Sequence, residues 1–159
     1  MTTLRHQIRI EAPIEAVWKA VSVLTEVQHY NPMVASARFI SDRREGVGAM
    51  RRCELKPKGW VEERVWEWSP PHVIGLEVAA SEWPIAFMKW RTALEKDGDA
   101  TRMSQDLSYK VKFGPLGVLM DLLVMRRMLD KGIGEAFEAL KRYVESSRTQ
   151  LAAFGGVEP

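Results

Sequence analysis

The hydrophobic pattern of this chain changes period three times, and each change marks a new kind of element. Residues 4 to 11, "LRHQIRIE", alternate apolar and polar side chains with Ile8 and Ile10 on one face, which predicts a strand. In "APIEAVWKAVSVL", Pro13 suits a first helical turn, and Ile14, Val17, Trp18, Val21 and Leu24 recur at helical spacing. "TEVQHYNP" predicts a second short helix, with Thr25 as N-cap and Pro32 as the stop.

From residue 34 the period becomes two. "VASARFIS", "GAMRRCEL", "GWVEERVWEW", "VIGLEVAA", "AFMKWRTALE" and "TRMSQDLSYKVKF" read as six successive strands, separated by the turn sequences "DRREG", "KPKG", "SPPH", "EWP" and "KDGD". Connections this short join antiparallel neighbours, so the strands form a meander. A long helix follows, from about Pro115 to about Ser147. The expected fold is therefore α+β: a seven-stranded antiparallel sheet, two short helices between strands 1 and 2, and a long C-terminal helix covering one face. Residues 1–148 read as one domain and residues 149–159 as a flexible tail.

Composition narrows the function classes. Apolar residues make up 46% and charged residues 28%, the balance of a folded globular chain. The net charge of +2 comes from 23 basic and 21 acidic side chains that are interspersed, so nucleic acid is not an expected partner. Cys53 is the only cysteine, and His6, His29 and His72 fall on separate elements without metal-ligand spacing. No metal and no other cofactor is expected. No run approaches the roughly 20 apolar residues of a membrane span, and "MTTLRHQIRIEAP" lacks the apolar core of a signal peptide. The expectation is a cytoplasmic protein with no integral membrane segment.

The element order, with "APIEAVWKAV" near the start, "WEWSPPHVIGLEV" mid-chain and "YKVKFGPLGVLMDLL" before the last helix, resembles the polyketide cyclase/dehydrase and lipid-transport family. That family lies within the START-like, birch-pollen-allergen-like helix-grip superfamily (SRPBCC), and the resemblance spans roughly residues 5 to 147. It implies a curved sheet gripping the last helix, with an apolar cavity between them. The superfamily includes cyclases, hydrolases, lipid carriers and quinone chaperones, so the fold alone does not set the function.

Alternation assigns candidate cavity residues. In "TRMSQDLSYKV" the face with Met103, Gln105, Leu107, Tyr109 and Val111 is the inner one. Gln105 and Tyr109 are then polar groups on an apolar wall, answered by a ligand, a water or a neighbouring side chain. "AFMKWRTALE" turns Met88, Trp90, Thr92 and Leu94 inward, with Trp90 either a stacking surface or core filler. In "AMRRCEL", parity with Ala49, Cys53 and Leu55 points Arg51 inward, where a guanidinium could bind a carboxylate or enolate or polarise a carbonyl. The competing reading is a twisted edge strand that sends both arginines to solvent. In "GWVEERVWEW", aromatic mass favours Trp60, Glu62, Arg64, Trp66 and Trp68 inward; the alternative turns Val61, Glu63, Val65 and Glu67 inward, leaving two carboxylates in need of partners.

On the long helix, Ile133, Phe137, Leu140 and Val144 share a stripe at about 100° per residue. Projected back, that stripe collects Leu129, Leu122 and Leu119, and also Arg126. A guanidinium on a core-facing stripe is a local break of pattern of the kind found at functional sites; the other reading has Gly132 and Gly134 bend the helix and turn Arg126 to solvent. The opposite side carries Leu116, Met120, Val124 and Met128. A homodimer contact, a mobile wall at the cavity mouth and transient docking on a membrane each account for that patch.

Two main functions follow. The first is binding of a small hydrophobic molecule (a lipid, quinone or polyketide) by a carrier, sensor or sequestering protein. Its ligand-binding residues would be Arg51, Trp66, Met88, Trp90, Met103, Gln105, Tyr109, Leu119, Leu122 and Arg126. The second is a cyclase/dehydrase-type enzyme, with the cavity folding a reactive chain while Arg51 or Arg126 stabilises an enolate and Tyr109 or a carboxylate moves a proton. A protein-binding module that uses the helical patch over a filled core is a third.

Overall fold

A computed structural model describes residues 1–154. Strand β1 (Thr2–Ile10) leads into helix α1 (Ile14–Ser22), a single 3-10 turn and the short helix α2 (Val27–Tyr30). Six strands follow: β2 (Val34–Phe39), β3 (Met50–Leu55), β4 (Trp60–Ser69), β5 (Val73–Ser81), β6 (Ile85–Asp97) and β7 (Ala100–Val111). Helix α3 (Gly114–Met120), a π-helical turn (Asp121–Met125) and helix α4 (Arg126–Phe154) complete the chain. Helix α4 runs past its expected end near Ser147 and takes in residues 149–154, which were expected as a flexible tail; residues 155–159 of that tail lie outside the described residues.

All seven strands form one antiparallel sheet in the order β1-β7-β6-β5-β4-β3-β2. The meander accounts for every neighbour pair except β1–β7, which the two helices make reachable by carrying the chain from one edge of the sheet to the other. This is the helix-grip fold expected from the element order.

The core splits along α4. Its C-terminal half places Phe137, Leu140 and Val144 against Ile10, Ile14, Val17, Leu94 and Met103, closing helix α1 and the sheet around one apolar cluster. A second cluster lies beneath the π turn, where Met125 and Leu129 meet Leu4, Ile85, Met88, Leu107, Tyr109 and Val111. Between them the concave face of the sheet does not fully meet the helix.

Register irregularities decide which side chains face that gap. A bulge in β4 lies between Val65 and Glu67, and another in the β4–β5 pairing lies between Glu62 and Glu63. Val61, Glu63 and Val65 are buried, contrary to the expectation that Trp60, Glu62, Arg64 and Trp66 face inward. After the bulge the parity reverses, so Trp68 turns inward and meets Trp18 edge-on at 5.1 Å. One strand thus contributes opposite parities to the same face, because a bulge inserts one unpaired residue.

Candidate functional site

A cavity of about 200 Å³ lies between the concave face of the sheet and α4. Strands β3 to β7 supply its floor, including Cys53, Val61, Ile74, Leu76, Met88, Trp90, Met103 and Leu107. Helix α4 supplies the roof through Leu129, Gly132, Ile133 and Ala136. Tyr30, Asn31 and Met33 close one side and Trp83 and Ile85 another. Met33 lies over Gly132 so closely that a β-carbon there would require its side chain to shift.

Two charged residues line this cavity among the described residues, Arg51 and Glu63. They are direct cross-strand partners on β3 and β4, so the pleat puts both side chains on the same face. Arg51 Nε donates to Glu63 Oε2, and Arg51 Nη1 donates to the Leu24 carbonyl at 2.9 Å. Burial disfavours the guanidinium charge, but Glu63, with smaller help from Cys53 and Tyr30, offsets it and Arg51 is held above its ordinary pKa. Cys53, two residues along the same face, lies 4.0 Å from Glu63 Oε2; burial, then that carboxylate, push its thiol up to about 12. Burial likewise pushes the Tyr30 phenol up to about 12, with Arg51 pulling the other way. The β3–β4 side of the cavity is therefore polar, internally compensated and without net charge.

On the β6–β7 side the polar wall is the pair Thr92 and Gln105, opposite each other, with Thr92 Oγ1 donating to Gln105 Oε1 at 3.2 Å. Of the residues singled out from the sequence, Arg51, Met88, Trp90, Met103 and Gln105 line the cavity together. Five do not. Trp66 lies on the outer face, its indole packed on Gly75, its Nε1–H donating to the Trp90 carbonyl at 3.4 Å and the Lys89 ammonium 3.7 Å above its ring. The β4 parity places it there, and Gly75 leaves the space it fills. Tyr109 faces inward but is completely buried beneath the π turn, where its hydroxyl donates to Asp121 Oδ1 and Thr2 Oγ1 donates to Oδ2 at 2.6 Å. It holds the helix to the sheet. Burial and the Asp121 bond keep its phenol protonated well above the ordinary range.

Leu119, Leu122 and Arg126 are exposed. The cause is the π turn Asp121–Met125, which inserts one residue and shifts the phase of the helix N-terminal to it. Back from Leu129, the residues facing the sheet are Met125, Asp121 and Gly117, each four positions apart, instead of Arg126, Leu122 and Leu119. The shift is made at this turn and not at Gly132 and Gly134, through which α4 runs unbroken.

Glu63, Tyr30, Met33 and Trp83 line the cavity without being marked as candidates by the sequence pattern. A signal exists for Glu63: of the two carboxylates on its face of β4, one needs a buried cation, and inward parity of Arg51 supplies one across the strand. Glu67 meets Arg91 on the outer side, at 2.9 Å.

Comparison with known proteins agrees with this architecture. A Thermus thermophilus protein, TTHA0849, superposes with a TM-score of 0.78 at 19% identity, covering 92% of this chain and 99% of that one. A START superfamily protein from Mycobacterium smegmatis gives 0.69 at 18% identity, covering 94% and 98%. Ara h 8.0201 gives 0.72 at 15% identity, covering 91% and 98%. At these identities the likeness is one of fold. No curated protein matches the sequence. Among the described residues no helix is long and apolar enough to cross a membrane. The pattern of the family described as polyketide cyclase/dehydrase and lipid transport matches residues 1–145, nearly the whole chain, and the protein belongs to that family.

Proposed function

We propose that this protein binds a small, uncharged hydrophobic molecule between sheet and α4, as a carrier, sensor or sequestering protein. The observation that supports it is the compensated pair Arg51–Glu63 in an otherwise apolar cavity. A free guanidinium would favour an anionic ligand. Here Glu63 already answers that charge, and a carboxylate ligand would have to displace it inside a low-dielectric site. A carbonyl or hydroxyl can instead share hydrogen bonds with Tyr30, Arg51 or the Thr92–Gln105 pair while its carbon frame contacts Trp90, Leu107 and Ile133. At about 200 Å³ the site is smaller than the ~300–1,000 Å³ usual for ligand pockets, which favours a compact ligand.

Native mass spectrometry of protein freshly purified from several hosts tests this. The expected result is a co-purifying neutral molecule, lost on Ala136→Leu, which narrows the cavity from the helix side. Added back at a hundred times its Kd, such a ligand stabilises the fold by about 2.7 kcal/mol. A clean apo mass from every host counts against the reading. The positioned carboxylate of Glu63 also favours a cyclase/dehydrase-type reaction in the same cavity. Under that alternative, Glu63→Gln abolishes turnover of the identified ligand while binding persists.

A further inference from the structure

The surface of α3 and the π turn differs from the rest of the molecule. Leu116 is 69% exposed, Leu119 53%, Leu122 57% and Leu123 61%, and Phe113, Val118 and Val124 are exposed beside them. The one acid in this segment, Asp121, is turned inward and held by Tyr109 and Thr2. Flanking the apolar surface are Lys110, Lys112, Arg126 and Arg127, all exposed.

Among the described residues none of these four cations makes an ion pair. Elsewhere on the sheet several surface arginines are matched, Arg5 with Asp106, Arg52 with Glu54 and Glu62, Arg64 with Glu77 and Arg91 with Glu67, whereas Arg38 on β2 stands without an ion pair among the described residues but away from any comparable apolar surface. The molecule therefore carries one surface that is both strongly apolar and uncompensated in positive charge.

We propose that the segment from Lys110 to Met128 docks on a lipid surface rich in anionic headgroups. The leucines of α3 and the π turn would enter the boundary between headgroups and acyl chains, and the four cations would lie at the level of the lipid phosphates. Charge decides against a second copy of this chain as the occupant. A two-fold contact through this face would bring two sets of four unpaired cations together. An anionic bilayer answers the apolar area and the charge at once. The segment also sits beside the cavity: Met125 and Leu129 pack with Ile85 and Trp83, and Leu129, Ile85 and Trp83 line the cavity wall. Docking would bring that wall to the bilayer. The docking itself does not depend on what the cavity holds.

Sedimentation with vesicles tests it, using phosphatidylcholine alone and phosphatidylcholine mixed with phosphatidylglycerol. The protein is expected to sediment with the mixed vesicles, to be released by high salt and to stay in solution with phosphatidylcholine alone. Arg126→Gln with Arg127→Gln should weaken partitioning about 25-fold, about fivefold for each cation. Leu119→Asp with Leu122→Asp should abolish it while leaving thermal melting unchanged, because both leucines lie outside the core. Failure to sediment with anionic vesicles overturns the proposal, as does equal binding to phosphatidylcholine alone. So does light scattering that finds a wild-type dimer made monomeric by the leucine substitutions, which would assign the surface to a second copy of the chain. The co-purified ligand bears only on the cavity, so the two readings fail separately.

Discussion

The two halves of the C-terminal helical segment use their apolar residues in opposite ways, and the more apolar half is the more exposed. From Leu129 to Val144 the apolar residues fall on one stripe, and Phe137, Leu140 and Val144 are gripped between α1 and the sheet. From Leu116 to Met128 they fall all round, and Gly117, Asp121 and Met125 face inward while the leucines face out. Two of those three inward positions are a glycine and an aspartate. Apolar content therefore does not predict burial here; phase does, and one inserted residue at the π turn sets it.

Substitutions can break this contrast directly. Phe137→Ala should cost about 3–5 kcal/mol, the usual loss for a buried aromatic, whereas Leu123→Ala in the other half should change stability by no more than about 0.5 kcal/mol. Urea unfolding of the two variants measures the difference, and equal costs would mean that the exposed half is covered in solution. An intermediate effect is expected at the junction. Asp121→Ala leaves the buried Tyr109 hydroxyl without its acceptor, at about 1–3 kcal/mol. Adding Tyr109→Phe should recover part of that loss, which separates a missing hydrogen bond from a disturbed helix.

A pH-dependent effect belongs to the cavity floor beneath the gripped half. Cys53 titrates near 12 in the folded protein against 9.0 ordinarily. Its folded pKa is raised, so its contribution is complete below pH 9.0 and is lost as pH climbs towards 12. At pH 10 the loss should be about 1.4 kcal/mol. Cys53→Ala should flatten the alkaline arm of a stability–pH profile, and an unchanged slope would show that the thiol is not buried as described.

How far the site is legible in the sequence depends on which strand is considered. Alternation turns Arg51 inward, and the structure has it there, because β3 keeps its period from Ala49 to Cys53. Aromatic mass turns Trp66 the wrong way and outweighs the charge pattern, although Arg51, Arg64 and Arg91 each have a carboxylate waiting across a strand. On the outer face a tryptophan can remain half-buried under a lysine stem, so its bulk is a weak guide to direction. Tyr109 faces inward as its strand's period requires, but its partner lies on another element. Nothing local connects it to Asp121.

The order of elements, the antiparallel meander, the family resemblance and the inner faces of β3, β6 and β7 were determined by the sequence alone. Each rests on a period that survives for several residues without interruption. The tertiary structure decided the parity of β4, the pairing of Arg51 with Glu63 and the exposure of Leu119, Leu122 and Arg126. These turn on a bulge and a π turn, where one extra residue is accommodated only because distant partners hold it: Gly75 receives Trp66, and Tyr109 and Thr2 hold Asp121. A periodic pattern cannot contain that information, since an insertion is invisible until the contacts that stabilise it are made.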